Sequence, residues 1–450
     1  MKNPIGEKRI LFLTIYLGEL VLLLWPSGRV KADELSELKQ QITEQNQKLQ
    51  ELLERLEQLE ARQKLKEQSL TEKIEQVAEK QKEPITLPDS LKWAEKVKIS
   101  GDFRYRNQHV DAEEVGSVRW KKGRTRHRIR TRLMLEAIVN DEWDVAFRLA
   151  SGERDILADE GDMFANPTSA NQTLKQNFSS KDIWLDLAYF NWHPAAREGL
   201  NVYGGKVKNP FYDIGKGQLI WDSDINPEGI AAQYQIPLGQ RDTLNINGGG
   251  FWVDESSTGV DTSLWGIQGY LKHTIGNPDY ILGGISYWDY GNIKDKTDKF
   301  GILAGNTADP SGTKWASDYD ICEVFGEYGT KCFGLPVAIC GDWVQNLVAV
   351  SGEDTGWLVG AKLNKAQEPR SWEFFYNYRE LEADAVLGAF TDSDFGGGGT
   401  DVRGHKFGFT YQLAKNLQAV LTCYFNENDR SSSSRDLDYR RLTTDLKFKF

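Results

Sequence analysis

The chain has 450 residues, a formal net charge of −11, 27% charged residues, 42 glycines and 14 Trp, 17 Tyr and 20 Phe. A balance this acidic is unsuited to neutralising a nucleic-acid backbone, so nucleic acid is excluded as a partner. Four cysteines are too few for a disulfide scaffold of this length, and the five histidines form no H-x-x-x-H pair and have no Ser or Asp at triad spacing, which argues against an enzyme and against a metal or other cofactor.

Residues 1–32 read as a secretory signal peptide. Lys2, Lys8 and Arg9 precede an apolar run from Ile10 to Trp25, broken at Gly18 and Glu19, and Val30-Lys31-Ala32 offers a cleavage site before Asp33. The interrupted run spans a ~30 Å hydrocarbon core poorly, so export is favoured over a retained anchor. Removing a leader with five bases and two acids takes the net charge from −11 to −14.

Residues 33–83 contain neither Pro nor Gly. Leu35, Leu38, Ile42, Leu49, Leu52, Leu56, Leu59, Leu70 and Val77 fall on a three-four spacing with polar breaks at Gln45, Gln63 and Lys66. The pattern predicts a helical rod of roughly 75 Å that pairs with other helices as a periplasmic coiled coil; a solvated single-helix spacer is the alternative. Pro84 and Pro88 end the helix and open a linker over 84–95.

From 96 to 450 about sixteen segments alternate apolar and polar residues, beginning with Lys96–Arg106 and Arg124–Val139 and ending with Asp438–Phe450. Turns such as Asn140-Asp141 and Ala414-Lys415-Asn416 alternate with long loops such as 151–182, 291–319 and 381–402. No later stretch has the ~20 apolar residues of a membrane helix. A chain that spans lipid without helices must close into an antiparallel barrel, because only closure satisfies every backbone donor and acceptor. The final residues, Arg441–Phe450, keep strict alternation and stop on an aromatic, which resembles the tag read by the outer-membrane barrel assembly machinery.

The segment after Arg124 sets Arg124, Arg126, Arg128, Arg130 and Arg132 at every second position, over about 26 Å of strand. Arg facing lipid costs about 2–4 kcal/mol near the midplane, so the row turned outward would cost on the order of 10 kcal/mol. The row is therefore expected to face the lumen with Arg104 and Arg106 of the preceding strand, while Ile129, Leu133 and Leu135 face lipid or a neighbouring subunit. Clustered guanidiniums need countercharge or diffusible anions. The third long loop, 209–228, carries Asp213, Asp222, Asp224 and Glu228 as candidates for a constriction opposite the arginines. The bland alternative is a rigidifying network in which Glu136, Asp186 and nearby carboxylates satisfy the row. Asp392, Asp394 and Asp401 around Gly396–Gly399 offer hard oxygens to Ca²⁺, though acids and glycines also make ordinary external loops.

The segments Ile99-Ser-Gly-Asp-Phe-Arg-Tyr-Arg106, Arg128-Ile-Arg-Thr-Arg-Leu133, Phe147-Arg-Leu-Ala-Ser-Gly152 and Gly204-Gly-Lys-Val-Lys-Asn-Pro-Phe-Tyr212 together resemble the putative porin family. So do Trp221-Asp-Ser-Asp-Ile-Asn-Pro-Glu-Gly229, Asn247-Gly-Gly-Gly-Phe-Trp-Val-Asp-Glu255 and Thr391-Asp-Ser-Asp-Phe-Gly396. The resemblance covers nearly all of 96–450 in order. It implies an outer-membrane barrel of about sixteen strands preceded by a coiled coil, assembled as a homotrimer and passing small hydrophilic solutes or ions without naming one. Leu187 departs from the pattern, standing where similar sequences lead one to expect a basic residue. The runner-up role is a structural tether, its coiled coil reaching from the barrel towards peptidoglycan.

Overall fold

The computed structural model describes residues 32–80, 89–112, 123–156, 163–175, 177–257, 259–297, 303–428 and 437–450. The expected signal peptide, apart from Ala32, and the proline pair Pro84 and Pro88 lie outside the described residues. The chain divides into two units, Met1–Pro88 and Asp89–Phe450.

In the first unit one helix, α1, runs over Ala32–Lys80 without a break. Its Leu, Glu, Gln and Lys content favours helix at nearly every position, and no Gly or Pro interrupts it. Ile42, Leu49, Leu52, Leu56, Leu59 and Leu70 are all exposed along it.

In the second unit the stretch expected as linker ends in a short 3₁₀ helix, Asp89–Lys96. Among the described residues sixteen strands build the wall, besides three short ones at Arg154–Ile156, Met163–Ala165 and Gln172–Thr173: β1 (Val97–Ala112), β2 (Arg124–Asn140), β3 (Trp143–Ser151), β4 (Ile183–Trp192), β5 (Leu200–Lys206), β6 (Glu228–Leu238), β7 (Asp242–Asp254) and β8 (Thr262–Thr274). Then come β9 (Tyr280–Gly291), β10 (Tyr319–Cys332), β11 (Leu335–Asn346), β12 (Thr355–Asn364), β13 (Trp372–Leu381), β14 (Val402–Ala414), β15 (Leu417–Asn428) and β16 (Leu437–Lys449). Each pairs antiparallel with its neighbours, and β16 pairs with β1, so the sheet is closed. The alternation explains why lipid can surround it: Ile230, Trp265 and Ile285 are exposed on the outer face, whereas Asn247, Gln268 and Ser286 are buried inside.

Short turns close one end of the barrel and longer connections the other. The connections used below are L2 (152–182), L3 (207–227), L5 (292–318), L6 (347–354) and L7 (382–401). L3 and L7 fold into the lumen, where Ile214, Leu219, Trp221 and Ile225 of L3 and Val386, Leu387 and Phe395 of L7 join Phe251, Leu264 and Trp288 of the wall in one apolar cluster. Such burial is what offsets the entropy of ordering long loops. The rim is tied by Asp384, which is fully buried and accepts hydrogen bonds from Thr307 N (2.9 Å) and Ser317 Oγ (3.0 Å) of L5, Ser351 Oγ (2.7 Å) of L6 and the Tyr319 hydroxyl (3.4 Å). All four donors are neutral.

At the seam, Gly101 N donates to Phe450 O (3.0 Å) and Phe450 N donates to Gly101 O (3.1 Å). A Cβ on Gly101 would lie 2.5 Å from both the Arg132 carbonyl oxygen and Phe450 Cζ. Gly101→Val is therefore expected to destabilise the closed barrel by about 1–3 kcal/mol, as overpacking does. A lower temperature for loss of the compact band on unheated gels checks this; an unchanged temperature would refute it.

Candidate functional site: an arginine wall against two inward loops

The registers of β16, β1 and β2 lay a grid of side chains on the inner face of the barrel. Its rows are Arg441, Val110 and Arg124; Thr443, Gln108 and Arg126; Asp445, Arg106 and Arg128; Lys447, Arg104 and Arg130; Lys449, Asp102 and Arg132. Alternation with period two puts all of them on one face. Arg104, Arg106 and Arg128 are buried there beneath loop residues, not exposed to lipid.

The last two rows are tied to L3. Asp102 accepts from Arg130 Nη2 (2.9 Å) and Arg132 Nε (2.7 Å), and Asp224 Oδ1 of L3 meets Arg130 Nη1 (3.3 Å) and Arg132 Nη1 (3.4 Å). The upper part is tied to L7. Arg106 forks onto Asp445 (2.7 and 2.8 Å) and reaches Asp394 (2.8 Å), and Arg441 meets the same Asp394 at 2.5 Å. Asp392 takes Lys406 at 2.8 Å, with Arg379 at 4.0 Å. Between these, Arg128 Nη2 lies 3.6 Å from Glu153 and 3.4 Å from the Asn171 carbonyl oxygen of L2, and Arg104 donates to Asn171 Oδ1.

Of the four loop acids expected opposite the wall, only Asp224 meets it. Asp213 accepts from Gln218 N (2.9 Å) within its own loop, where burial pushes its carboxyl up to about 6. Asp222 accepts from Asp224 N (2.8 Å) and from Ser393 N of L7 (2.9 Å), so it joins the two loops and does not face arginine. Burial, then Asp224 and Asp392, hold its carboxyl well above the usual range. Burial acts the same way on Asp224, but Arg130, Arg104 and Arg132 outweigh it and hold its carboxyl low. Glu228 is not in the loop: it is the first residue of β6 and pairs with Lys206 at 2.6 Å.

The bland network of the sequence reading takes other partners. Glu136 pairs with Lys98 and Asp186 with Arg148, and the row itself uses Asp102, Asp224 and Glu153. The acids that offered hard oxygens to calcium are taken up otherwise: Asp392 is engaged by Lys406, and Asp394 by Arg106 and Arg441. Asp394, Asp445 and Asn171 are the partners that sequence reasoning missed. Leu187, opposite Arg148 in the register and fully buried, sits on the inner face beyond a bulge. Asp224 also borders a cavity of about 450 Å³ lined by Trp184, Trp221, Trp252, Trp315 and Phe390.

The chain is similar to Pseudomonas putida OprB at 10% identity and a TM-score of 0.52, over 79% of this chain and 95% of that one. It is also similar to a triple mutant of the Rhodopseudomonas blastica porin at 12% identity and a TM-score of 0.44, over 79% and 100% of the two chains. No curated protein matches the sequence. A family model described as "Putative porin" matches residues 112–320 and 330–450. With the closed sixteen-strand barrel, that match settles the family: the chain belongs to the putative porins, channel proteins of the bacterial outer membrane.

Proposed function

We propose that the protein is a passive porin through which small hydrophilic solutes or ions diffuse, with weak anion preference set by Arg104, Arg106, Arg126, Arg128, Arg130 and Arg132. The observation that carries this reading is the inward arginine wall, against which L3 is held by Asp224 on Arg130 and Arg132. Excess positive charge on the lumenal wall attracts anions, and screening weakens the attraction as salt rises. The wall has more guanidiniums than carboxylates close by, which sets the sign of the preference. The exposed leucine seam of α1 supports a homotrimer whose helices pair as a coiled coil in the periplasm, after removal of a signal peptide. The same seam favours a second role, a tether towards peptidoglycan, compatible with conduction.

The test is single-channel conductance in planar bilayers under a salt gradient, for wild type and for the double variant Arg128→Ala with Arg130→Ala. Conductance steps in threes and a reversal potential favouring anions are expected, moving towards cations in the variant. An unchanged selectivity would reduce the arginines to scaffolding, and an inserted barrel that never conducts would leave only the tether.

A further inference from the structure

Three arginines of the wall lack the short carboxylate pairs that the others make. Arg130 and Arg132 share Asp102 and Asp224, while Arg106 and Arg441 share Asp394, with Asp445 also on Arg106. Arg104 makes no ion pair and donates to the neutral Asn171 amide oxygen, with Asp224 and Asp445 acting on it only at longer range, and Arg128 has Glu153 at 3.6 Å, a carboxylate also claimed by Lys175 (3.4 Å) and by Thr173 N (3.2 Å). Among the described residues no carboxylate lies within ion-pairing distance of Arg126. Four donors in this stretch lack an acceptor altogether: the Nε atoms of Arg104, Arg126 and Arg128, and Gln108 Nε2. Arg104, Arg128 and Gln108 are 7%, 6% and 0% exposed, so bulk water does not satisfy them.

Gln108 stands directly opposite Arg126, and Arg128 and Arg104 follow within about 13 Å of strand. Asn171 bonds Arg104 through its side chain and Arg128 through its backbone oxygen, which holds both guanidiniums in place. Buried donors without acceptors are costly, and a row of like charges more so. Evolved structures retain such a gap where something else supplies the acceptors.

We propose that Arg104, Arg126, Arg128 and Gln108 form a binding site for a tetrahedral oxyanion of the phosphate or sulfate class, beneath the loop residues that cover the wall. A tetrahedral anion presents oxygens in several directions at once and matches the planar fork of a guanidinium, which a neutral solute or a halide does not. The site rests on the porin reading only for its access route; binding is separable from conduction.

Isothermal titration of the detergent-purified full chain with sodium phosphate and sodium sulfate, at ionic strength fixed with sodium chloride, tests the site. One saturable site per chain is expected, weakened at least tenfold in Arg104→Gln, Arg128→Gln and the less buried Arg126→Gln. Arg403→Gln, which removes the same charge from the outer face, is expected to bind as wild type. Glycerol 3-phosphate in place of inorganic phosphate distinguishes a phosphate ester from the free anion as the preferred occupant. No heat above the chloride blank, or equal binding in all three lumenal variants, would overturn the site even if the channel conducts. Binding without conductance would instead overturn the pore and leave the site.

Discussion

Asp394→Ala is expected to lower the stability of the folded barrel more than any other single carboxylate removal in the lumen, and to raise its preference for anions. Asp394 bridges Arg106 at 2.8 Å and Arg441 at 2.5 Å. After its loss Arg106 keeps the fork onto Asp445, but Arg441 is left with neutral partners, among them the Gln108 amide and the Tyr424 ring. The Arg441 side chain is 2% exposed, so its charge would be left buried without a counter-ion. Breaking a buried pair in this way costs about 3–5 kcal/mol. L7 stays docked meanwhile, because Ser393 still bonds Asp222 and the Thr168 carbonyl oxygen.

The effect carries a pH signature. Burial opposes ionisation of Asp394, but Arg441 and Arg106 outweigh it and hold the carboxyl well below its usual range. An Asp in the unfolded chain titrates near ~3.9, so the stabilisation is complete above about pH 4 and is lost as pH falls through the lower folded value. The gap between wild type and Asp394→Ala should be widest at neutral pH and close in acid. Thermal unfolding of both proteins from pH 7 to pH 2.5 measures it; a gap independent of pH would exclude the ion pairs as its source.

Asp224→Asn should move selectivity with little effect on folding. Asparagine keeps the shape and one acceptor oxygen for Arg130 and Arg132, and Asp102 still pairs with both. What disappears is one negative charge from the loop side of the lumen. A unit charge a few ångströms from a hydrated ion is worth about 1 kcal/mol, roughly a fivefold change in anion-to-cation permeability. The shift should be large in 0.1 M salt and mostly gone at 1 M, where the screening length falls to about 3 Å. Reversal potentials at the two concentrations decide the matter. A shift of equal size in both would mean altered pore shape, not altered charge.

The barrel was legible because its information is local. Alternation marks each strand within its own ten or so residues, and the price of arginine in lipid fixes which face of Arg124–Arg132 turns inward. Loop destinations were not legible, because they rest on contacts far apart in sequence. Arg106 and Asp394 are separated by 288 positions, and nothing near either one announces the other. Asp222 and Asp224 look equivalent in the sequence, yet a tight turn in which Ile225 N bonds Asp222 O sends one to L7 and the other to the wall. Asp392 and Asp394 amid glycines carry the same surface signal as a calcium loop. Only the cations brought across by the closed sheet distinguish the two cases.

The knot at Asp384 has one more consequence. Its donors are backbone amide and hydroxyl groups, whose hold on a buried carboxylate is indifferent to dissolved electrolyte. The arginine wall, partly wetted at Arg130 and Arg132, feels every change in it. The mouth of the barrel and the voltage landscape below it thus answer to different properties of the surroundings. A cell carried from brackish into fresh water would find its sieve electrically retuned while the mesh kept its gauge.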